Sequence, residues 1–123
     1  MESEKKKLLF IDDEKDFLGI CKKFFELKNF KVYTATRGNT GLETAKTENP
    51  DLIIMDIRMP ESNGIEVLKQ LRRFNKDVKV IMLTGFGTAE NLQDSSNLGI
   101  SDFLSKPFDL DTLLSIVNET LTN

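Results

Sequence analysis

Three carboxylates, one hydroxyl and one ammonium group follow short strand-like runs of this sequence: Asp12, Asp13, Asp56, Thr84 and Lys106. Carboxylates that lie together repel one another, by roughly 4 kcal/mol for a pair about 4 Å apart at an effective dielectric constant near 20. A divalent cation relieves this repulsion, and a set of oxygen ligands suits Mg²⁺ or Mn²⁺. One carboxylate can then attack a phosphoryl group, whose oxygens a lysine and a threonine can stabilise.

Other kinds of chemistry are excluded by the composition. The sequence contains no histidine and one cysteine, Cys21. A Ser/His/Asp triad, a Cys/His dyad, a histidine-ligated zinc site, a thiolate cluster and a disulfide framework are therefore excluded. Cys21 is predicted to lie in the core. With no histidine and no accessible thiol, any chemistry must depend on carboxylates, hydroxyl groups and lysine.

The length and charge indicate one globular domain. The 123 residues suit a single domain spanning residues 1–123, in which residues 1–5 are expected to form a loose arm. A net charge of −3 and a pI near 5.0 argue against direct nucleic-acid binding, which usually requires a basic surface. No apolar run approaches the roughly 18 residues that span a membrane, and no signal-peptide pattern is present. We therefore expect a cytoplasmic protein without membrane contact.

Five strand-like runs alternate with helix-length stretches. Three runs are continuously apolar, which is typical of strands buried on both faces, at residues 8–11, 52–55 and 80–83. The runs at residues 30–35 and 100–105 are mixed, as expected of edge strands. The pattern predicts an α/β fold with a five-stranded parallel sheet in the order 2-1-3-4-5 and helices on both faces.

Each intervening stretch shows helical features. The second helix is expected around residues 41–48, the fourth begins near Thr88, and the last begins after Asp109, a suitable N-cap. Hydrophobic residues recur at helical spacing in the first and third stretches. They are Phe17, Ile20, Cys21 and Phe24 in the first, and Ile65, Leu68 and Leu71 in the third.

The predicted sheet brings the five polar residues together. In open parallel sheets, ligands bind beyond the carboxyl ends of the strands where the winding reverses, here between the first and third strands. Each residue also has an ordinary explanation: a helix cap for Asp12 or Asp13, a turn for Asp56, a strand end for Thr84 and a solvated surface residue for Lys106. Their shared position at the ends of four strands favours a functional site.

Four segments in sequence order carry a family resemblance. They are FIDDE at residues 10–14, LIIMDIRMP at 52–60 with Gly64 after it, LTGFG at 83–87, and DFLSKPF at 102–108. Together they resemble the receiver domains of response regulators in two-component signalling, which have a flavodoxin-like fold. The resemblance covers nearly the whole chain.

The resemblance implies a role for each site residue. Asp56 would accept a phosphoryl group, and Mg²⁺ would be held by Asp13, by Asp56 and by the backbone carbonyl of Arg58, with Asp12 acting through water. Lys106 and Thr84 would contact the phosphoryl group. The resemblance also implies a cis peptide between Lys106 and Pro107, a conformational switch through Thr84 and Phe103, and tuning of phosphoryl hydrolysis by Arg58 and Phe86.

The implied partners are other signalling proteins. The phosphoryl donor would be a phosphohistidine on a sensor histidine kinase or a histidine phosphotransfer protein. The sequence does not identify the output partner or output domain. It is equally compatible with a stand-alone receiver and with a piece of a larger regulator or hybrid kinase. The output face would comprise the fourth helix, the fifth strand and the last helix.

Three alternatives differ from a phosphorylated switch. A pseudo-receiver would keep the fold as an interaction module, although every acid, the threonine and the lysine are present here. An aspartate-nucleophile phosphatase of the haloacid-dehalogenase kind would place Asp-x-Asp at the first strand, whereas Asp12 and Asp13 are adjacent and Asp56 ends the third. A flavodoxin-like electron carrier would need a hydroxyl-rich phosphate loop after the first strand. The favoured interpretation is a regulator that assists only its own phosphorylation and dephosphorylation, and is otherwise not an enzyme.

Overall fold

The computed structural model describes residues 5–59, 63–85 and 98–122. Within these ranges the strands are β1 (Lys7–Ile11), β2 (Lys31–Ala35), β3 (Leu52–Asp56), β4 (Lys79–Thr84) and β5 (Asp102–Ser105). They form one parallel sheet in the order β2-β1-β3-β4-β5, which confirms the predicted fold and strand order.

The described residues also form four helices. They are α1 (Lys15–Leu27), α2 (Gly38–Glu48), α3 (Gly64–Phe74) and a C-terminal helix (Leu110–Thr122). The fourth helix predicted from Thr88 onward lies outside the described residues. None of the helices in the described part is both long and apolar enough to cross a membrane.

Burial separates the interior strands from the edge strands. All five residues of β3 are buried, and β1 is buried from its second residue to its last. In β2 only Val32 and Ala35 are buried, and β5 is exposed at both ends. Interior strands are covered on both faces whereas edge strands are not, so the mixed runs of the sequence correspond to the edges of this sheet.

The sheet separates two hydrophobic clusters because successive side chains of a strand point to opposite faces. Leu9 and Ile11 pack on the face covered by α2 and α3. Leu8 and Phe10 pack on the face covered by α1 and the C-terminal helix. With both faces covered, the polar strand ends are accessible only at the edge of the sheet.

Three of the four residues predicted for the apolar face of α1 face the core, since Cys21 is buried and Phe17 and Phe24 are partly buried against the same cluster. Leu18, Cys21 and Phe25 are buried, but Ile20 is 57% exposed although the pattern placed it on the apolar face. The strip that begins at Phe17 and the strip that begins at Leu18 have the same helical spacing, so periodicity alone does not distinguish them. The position at which the helix meets the sheet decides between them.

Asp109 caps the C-terminal helix as predicted. Its Oδ1 accepts a hydrogen bond from the backbone N–H of Thr112 at 2.7 Å, and this bond holds the pKa of Asp109 below its usual value. Leu113 and Val117 are buried and belong to the hydrophobic cluster between this helix, α1 and the sheet. The cap fixes the beginning of the helix shortly after the predicted site lysine.

The beginning of α3 lies directly against the end of β3. Asn63 caps the helix, since its Oδ1 accepts a hydrogen bond from the N–H of Ile65 at 2.8 Å. The N–H of Gly64 donates to the carbonyl of Ile57 at 2.7 Å. A Cβ atom on Gly64 would collide with the backbone of Asp56 and Ile57. Glycine at this position therefore permits a close approach to the strand end that carries Asp56.

The backbone that leads to β5 is held by Arg72 of α3. Its guanidinium donates to the carbonyls of Leu98 and Gly99 at 2.7 and 3.1 Å. It also donates to the carbonyls of Val78 and Asn75 at 2.8 and 3.2 Å. A guanidinium group has five donors in a rigid plane, so one side chain can bridge two chain segments. These bonds support the strand whose end carries the predicted site lysine.

The close approach of α3 can be tested with a matched pair of glycine substitutions. We expect Gly64→Ala to lower the free energy of unfolding by about 1–3 kcal/mol, because the added methyl group must displace backbone. Gly19→Ala should raise the free energy of unfolding by about 0.5–1 kcal/mol, because Gly19 is an exposed helical residue with open space at its Cβ position. Urea unfolding measures both values, and equal changes in the two variants would contradict the structure.

Candidate functional site

The three predicted acids meet at the carboxyl edge of the sheet. Asp56 is the last residue of β3, and Asp12 and Asp13 directly follow β1. The two strands are neighbours in parallel register, so their ends lie side by side. One carboxylate oxygen from each of Asp12, Asp13 and Asp56 lies within 4.8 Å of the other two. Asp12 and Asp56 are buried, while Asp13 is half-buried.

Lys106 reaches this cluster from the end of β5. Its Nζ lies 3.2 Å from Asp12 Oδ2 and 3.1 Å from Asp56 Oδ2, and it contacts Glu14 Oε1 at 3.6 Å. Since β4 separates β5 from β3, the lysine side chain extends across the end of a strand. The backbone N–H of Lys106 donates to the carbonyl of Thr84 at 2.7 Å, which continues the pairing of β4 and β5.

The two buried aspartates are held in the same way. Asp12 Oδ1 accepts the N–H of Glu14 at 3.0 Å, and Asp56 Oδ1 accepts the N–H of Arg58 at 3.0 Å. In both residues Oδ2 faces the ammonium group of Lys106. Backbone donors and one lysine thus fix the orientation of both carboxylates. Hydrogen bonds to ionised groups are stronger than those between neutral groups.

The charges of the site influence one another. Burial raises the pKa of Asp12, and the nearby charge of Asp56 raises it further, against the opposing effects of the Glu14 N–H and the Lys106 ammonium. Burial alone would lower the pKa of Lys106. The hydrogen bond that Lys106 donates to Asp56 and the charges of Asp12 and Asp56 together outweigh burial, so the pKa of Lys106 is raised. The lysine therefore remains an ammonium ion at neutral pH.

Thr84 and Phe103 lie on neighbouring strands. Thr84 is buried at the end of β4, opposite Ser105 of β5. Phe103 is half-buried opposite Met82 and packs against the hydrophobic cluster beneath α2 and α3. The structure therefore places the threonine at the edge that carries the acids, and the aromatic ring further back along the next strand.

The remaining predicted positions are Arg58, Phe86 and the Lys106–Pro107 peptide. Arg58 is exposed, donates its N–H to Asp56 and forms an isolated antiparallel bridge with Asn63. Phe86 lies outside the described residues. The Lys106–Pro107 peptide is cis, which is the isomer that the family resemblance implies.

Two neighbours of Lys106 were missed by the sequence interpretation. Glu14 contacts the ammonium group, and the ring centroid of Phe17 lies 5.1 Å from Nζ. Phe17 in turn makes an edge-on contact with Phe108 at a centroid distance of 6.0 Å. The position of Glu14 directly after the acid pair was an available signal. The spacing of Phe17 indicated only a helical core residue.

The donor set fits a small divalent cation. The carboxylate groups of Asp12, Asp13 and Asp56 offer oxygen ligands within a short distance of one another. Oxygen ligands of this kind are preferred by Mg²⁺ and Mn²⁺ rather than by softer metals. Asp13 is half-buried, so solvent reaches this residue of the cluster in part.

Comparison with known proteins identifies the family. The sequence profile described as "Response regulator receiver domain" matches residues 8–118 of the 123. The chain belongs to the response regulator receiver family. The family assignment made from the four sequence segments is therefore confirmed, and the chain is a receiver domain of two-component signal transduction.

Curated relatives of this receiver include proteins of different lengths. Sporulation initiation phosphotransferase F of Bacillus subtilis is 30% identical over 115 residues, which cover 94% of this chain and 93% of that protein. Regulatory protein AtoC of Escherichia coli is 36% identical over 115 residues, which cover 94% of this chain. The chain spans 25% of AtoC and 50% of response regulator SaeR of Staphylococcus aureus, which is 34% identical.

Solved structures confirm the receiver fold. A CheY-like receiver domain protein from Methanospirillum hungatei has a TM-score of 0.92 and 30% identity, covering 96% of this chain and 94% of that chain. Chemotaxis protein CheY4 of Vibrio cholerae has a TM-score of 0.89 and 29% identity, covering 94% of this chain and 98% of that chain.

The counter-charge role of Lys106 can be tested by Lys106→Met, which removes the ammonium group and keeps an unbranched side chain. We expect the metal-free protein to lose about 1–3 kcal/mol of unfolding free energy, because two buried carboxylates lose their partner. The affinity for Mg²⁺ should rise about tenfold, because a positive charge next to the metal ligands is removed. Urea unfolding and calorimetric Mg²⁺ titration measure the two effects.

Lys69→Met is the matched control for this substitution. Lys69 contacts Glu66 at 3.7 Å on the surface of α3, with both side chains about half exposed or more. Exposed pairs contribute about 1 kcal/mol or less, so stability and Mg²⁺ affinity should change little. Equal effects of the two substitutions would contradict the counter-charge role.

The raised pKa of Asp12 predicts a pH-dependent effect of Asp12→Asn. A carboxyl whose pKa is higher in the folded state favours folding when protonated, and this contribution is lost as pH rises through the folded pKa. In the absence of divalent cations, Asp12→Asn should therefore be more stable than wild type at neutral pH. The difference should disappear at acid pH, where the carboxyl is protonated in both states.

Urea unfolding in EDTA across this pH range measures the difference. Glu66→Gln on the exposed surface of α3 is the control and should show a small difference with little pH dependence. A variant that is less stable than wild type at neutral pH, or a gain that grows towards acid pH, would contradict the assignment.

Proposed function

We propose that the chain is a phosphoacceptor switch in which Asp56 takes a phosphoryl group from a partner phosphohistidine in the presence of Mg²⁺. The observation that carries the proposal is the position of Asp56 Oδ2, which faces Lys106 Nζ at 3.1 Å inside the acid cluster. A fixed carboxylate with a cation beside it supplies the positioning and the charge stabilisation on which phosphoryl transfer depends. The proposal treats residues 1–123 as one receiver domain.

Each protein group has a defined part in the transfer. Asp56 Oδ2 forms a bond to phosphorus while the nitrogen–phosphorus bond of the donor histidine breaks, and the imidazole leaves with the electron pair. Asp56 Oδ1 stays bound to the N–H of Arg58, which holds the carboxylate in place. Lys106 then exchanges its contacts with the carboxylates for a phosphoryl oxygen, and Thr84 donates a hydrogen bond to another.

The divalent cation would be held by Asp13, by Asp56 and by the backbone carbonyl of Arg58, with Asp12 acting through water. When bound, it supplies positive charge that offsets the carboxylates and the incoming phosphoryl oxygens. The family fold and the all-oxygen donor set support this ligand assignment. Asp12 is the buried acid whose Oδ2 contacts Lys106, which suits an orienting role.

The output would follow from movement of Thr84 and Phe103. A phosphoryl group adds about two negative charges and three acceptor oxygens to the site. Thr84 would move towards these oxygens, and Phe103 would turn inward into the space that the threonine leaves. The half-buried state of Phe103 supports this role, since the ring is neither fixed in the core nor fully solvated. The output face is proposed to include residues 88–99, β5 and the C-terminal helix.

The proposed partners are a sensor histidine kinase or a histidine phosphotransfer protein as donor, and an output protein or output domain as receiver of the signal. A cytoplasmic location is proposed as well, because the one cysteine, Cys21, is buried and unpaired. The proposed chemistry is confined to the chain's own phosphorylation and dephosphorylation, so the protein acts as a regulator rather than an enzyme with turnover.

Phosphorylation of Asp56 can be measured by intact-mass spectrometry. Incubation with Mg²⁺ and a small phosphodonor, or with a competent histidine kinase, should add the mass of one phosphoryl group. The gain should be lost in Asp56→Asn and in EDTA, because the nucleophile or the cation is then absent.

Asp51→Asn is the matched control, since Asp51 is an exposed aspartate just before β3, at its opposite end, and accepts a hydrogen bond from the N–H of Lys7. This variant should be phosphorylated like wild type. No mass gain in wild type with either kind of donor would contradict the switch and favour a pseudo-receiver.

The coupling of Thr84 to Phe103 can be followed by fluorescence. The sequence contains no tryptophan, so Phe103→Trp introduces a single reporter on β5. Beryllofluoride with Mg²⁺, which mimics the phosphoryl group, should shift the emission of this reporter by changing its exposure. Adding Thr84→Val, which removes the hydroxyl but keeps the shape, should abolish most of the shift. A shift that is the same with and without the hydroxyl would contradict the coupling.

A further inference from the structure

Glu14 differs from the other acids that contact Lys106. Its side chain is 65% exposed, whereas the side chains of Asp12 and Asp56 are 1% and 8% exposed. It occupies the N-cap position of α1 but makes no capping hydrogen bond with its side chain. Its Oε1 instead lies 3.6 Å from Lys106 Nζ. Glu14 therefore places a solvent-exposed negative charge at the rim of the site.

This charge lies on the side from which a donor must approach. Asp12 and Asp56 are buried beneath the rim, and the ammonium group that Glu14 contacts is the one proposed to meet the phosphoryl oxygens. An incoming phosphoryl group bound to Lys106 would therefore come close to the Glu14 carboxylate. The negative charges of the phosphoryl group and of Glu14 would repel each other, and solvent and salt would weaken this repulsion by screening it.

We propose that Glu14 selects among phosphoryl donors, by disfavouring small dianionic donors such as acyl phosphates relative to donors that carry compensating positive charge. This inference rests on the proposed phosphorylation of Asp56. A small acyl phosphate brings its full negative charge past Glu14 without a counter-charge. A donor whose phosphoryl group is accompanied by cationic groups meets the same carboxylate with attraction that offsets the repulsion.

The reaction itself is the same for both kinds of donor. With acetyl phosphate, the oxygen–phosphorus bond of the donor breaks, acetate leaves with the electron pair, and Asp56 Oδ2 forms the new bond to phosphorus. With phosphoramidate, the nitrogen–phosphorus bond breaks and the protonated nitrogen leaves as ammonia. The two donors transfer the same group and differ in net charge, so their rate ratio reports on the charge at the rim.

The experiment compares the rates of phosphorylation by acetyl phosphate and by phosphoramidate at saturating Mg²⁺. Glu14→Gln should raise the rate with acetyl phosphate about three- to fivefold, the size expected for one exposed charge contact. The rate with phosphoramidate should rise less, so the ratio of the two rates increases. Glu14→Asp keeps the charge and should keep a ratio close to that of wild type.

Ionic strength separates this role from a structural one. Added salt screens the repulsion, so the wild-type ratio should move towards the Glu14→Gln ratio, while the ratio of the variant should change less. Asp16→Asn is the matched control, since Asp16 is another exposed acid in the first turn of α1 and should leave the ratio unchanged.

Each outcome decides the proposal. An unchanged ratio in Glu14→Gln, or an equal increase in Asp16→Asn, overturns the role of Glu14 and leaves the phosphorylation of Asp56 intact. Absence of phosphorylation of wild type by both donors and by a competent kinase overturns the proposed function and this inference together. An increased ratio in Glu14→Gln, a preserved ratio in Glu14→Asp and the predicted salt dependence support it.

Discussion

The ammonium group of Lys106 holds together carboxylates at the ends of β1 and β3. Neither strand is a neighbour of β5, the strand that leads to the lysine. Lys106 Nζ lies within 3.2 Å of oxygens of both Asp12 and Asp56, and each of these acids is buried. Buried carboxylates without a partner are costly, so the site depends on this counter-charge and on the backbone N–H groups that hold the other oxygens. A divalent cation and a phosphoryl group would enter the same set of charges and redistribute the contacts of the lysine.

The fold supplies the geometry that this set of charges requires. The order of the strands makes β1 and β3 neighbours, so the acid pair and Asp56 meet at one edge. Gly64 allows α3 to begin against the backbone of Asp56, and Arg72 holds the backbone that leads to β5. The pairing of the Lys106 N–H with the Thr84 carbonyl joins the lysine to the strand whose end is proposed to respond to phosphorylation.

Much of the fold followed from the sequence because its signals are local. Continuous apolar runs marked the interior strands and mixed runs marked the edges, and the polar residues after those runs predicted the edge at which Asp56 and Lys106 meet. Side-chain packing was harder to predict from the sequence. Ile20 and Leu18 belong to strips of equal helical spacing, and only the contact with the sheet shows that Leu18 is buried. Glu14 directly follows the acid pair, which was a signal that it lies near the site, but its contact with Lys106 joins distant parts of the chain and was not predicted.

The identity of the phosphorylated residue is tested most directly by chemical trapping. An acyl phosphate is reduced by borohydride, which converts a phosphorylated aspartate to homoserine and leaves free aspartate unchanged. After phosphorylation with Mg²⁺, reduction and peptide mapping, we predict homoserine at position 56 and aspartate at positions 12 and 13. Homoserine at position 12 or 13, or aspartate at position 56 in a protein that has gained a phosphoryl group, would contradict the assignment of Asp56 as the nucleophile.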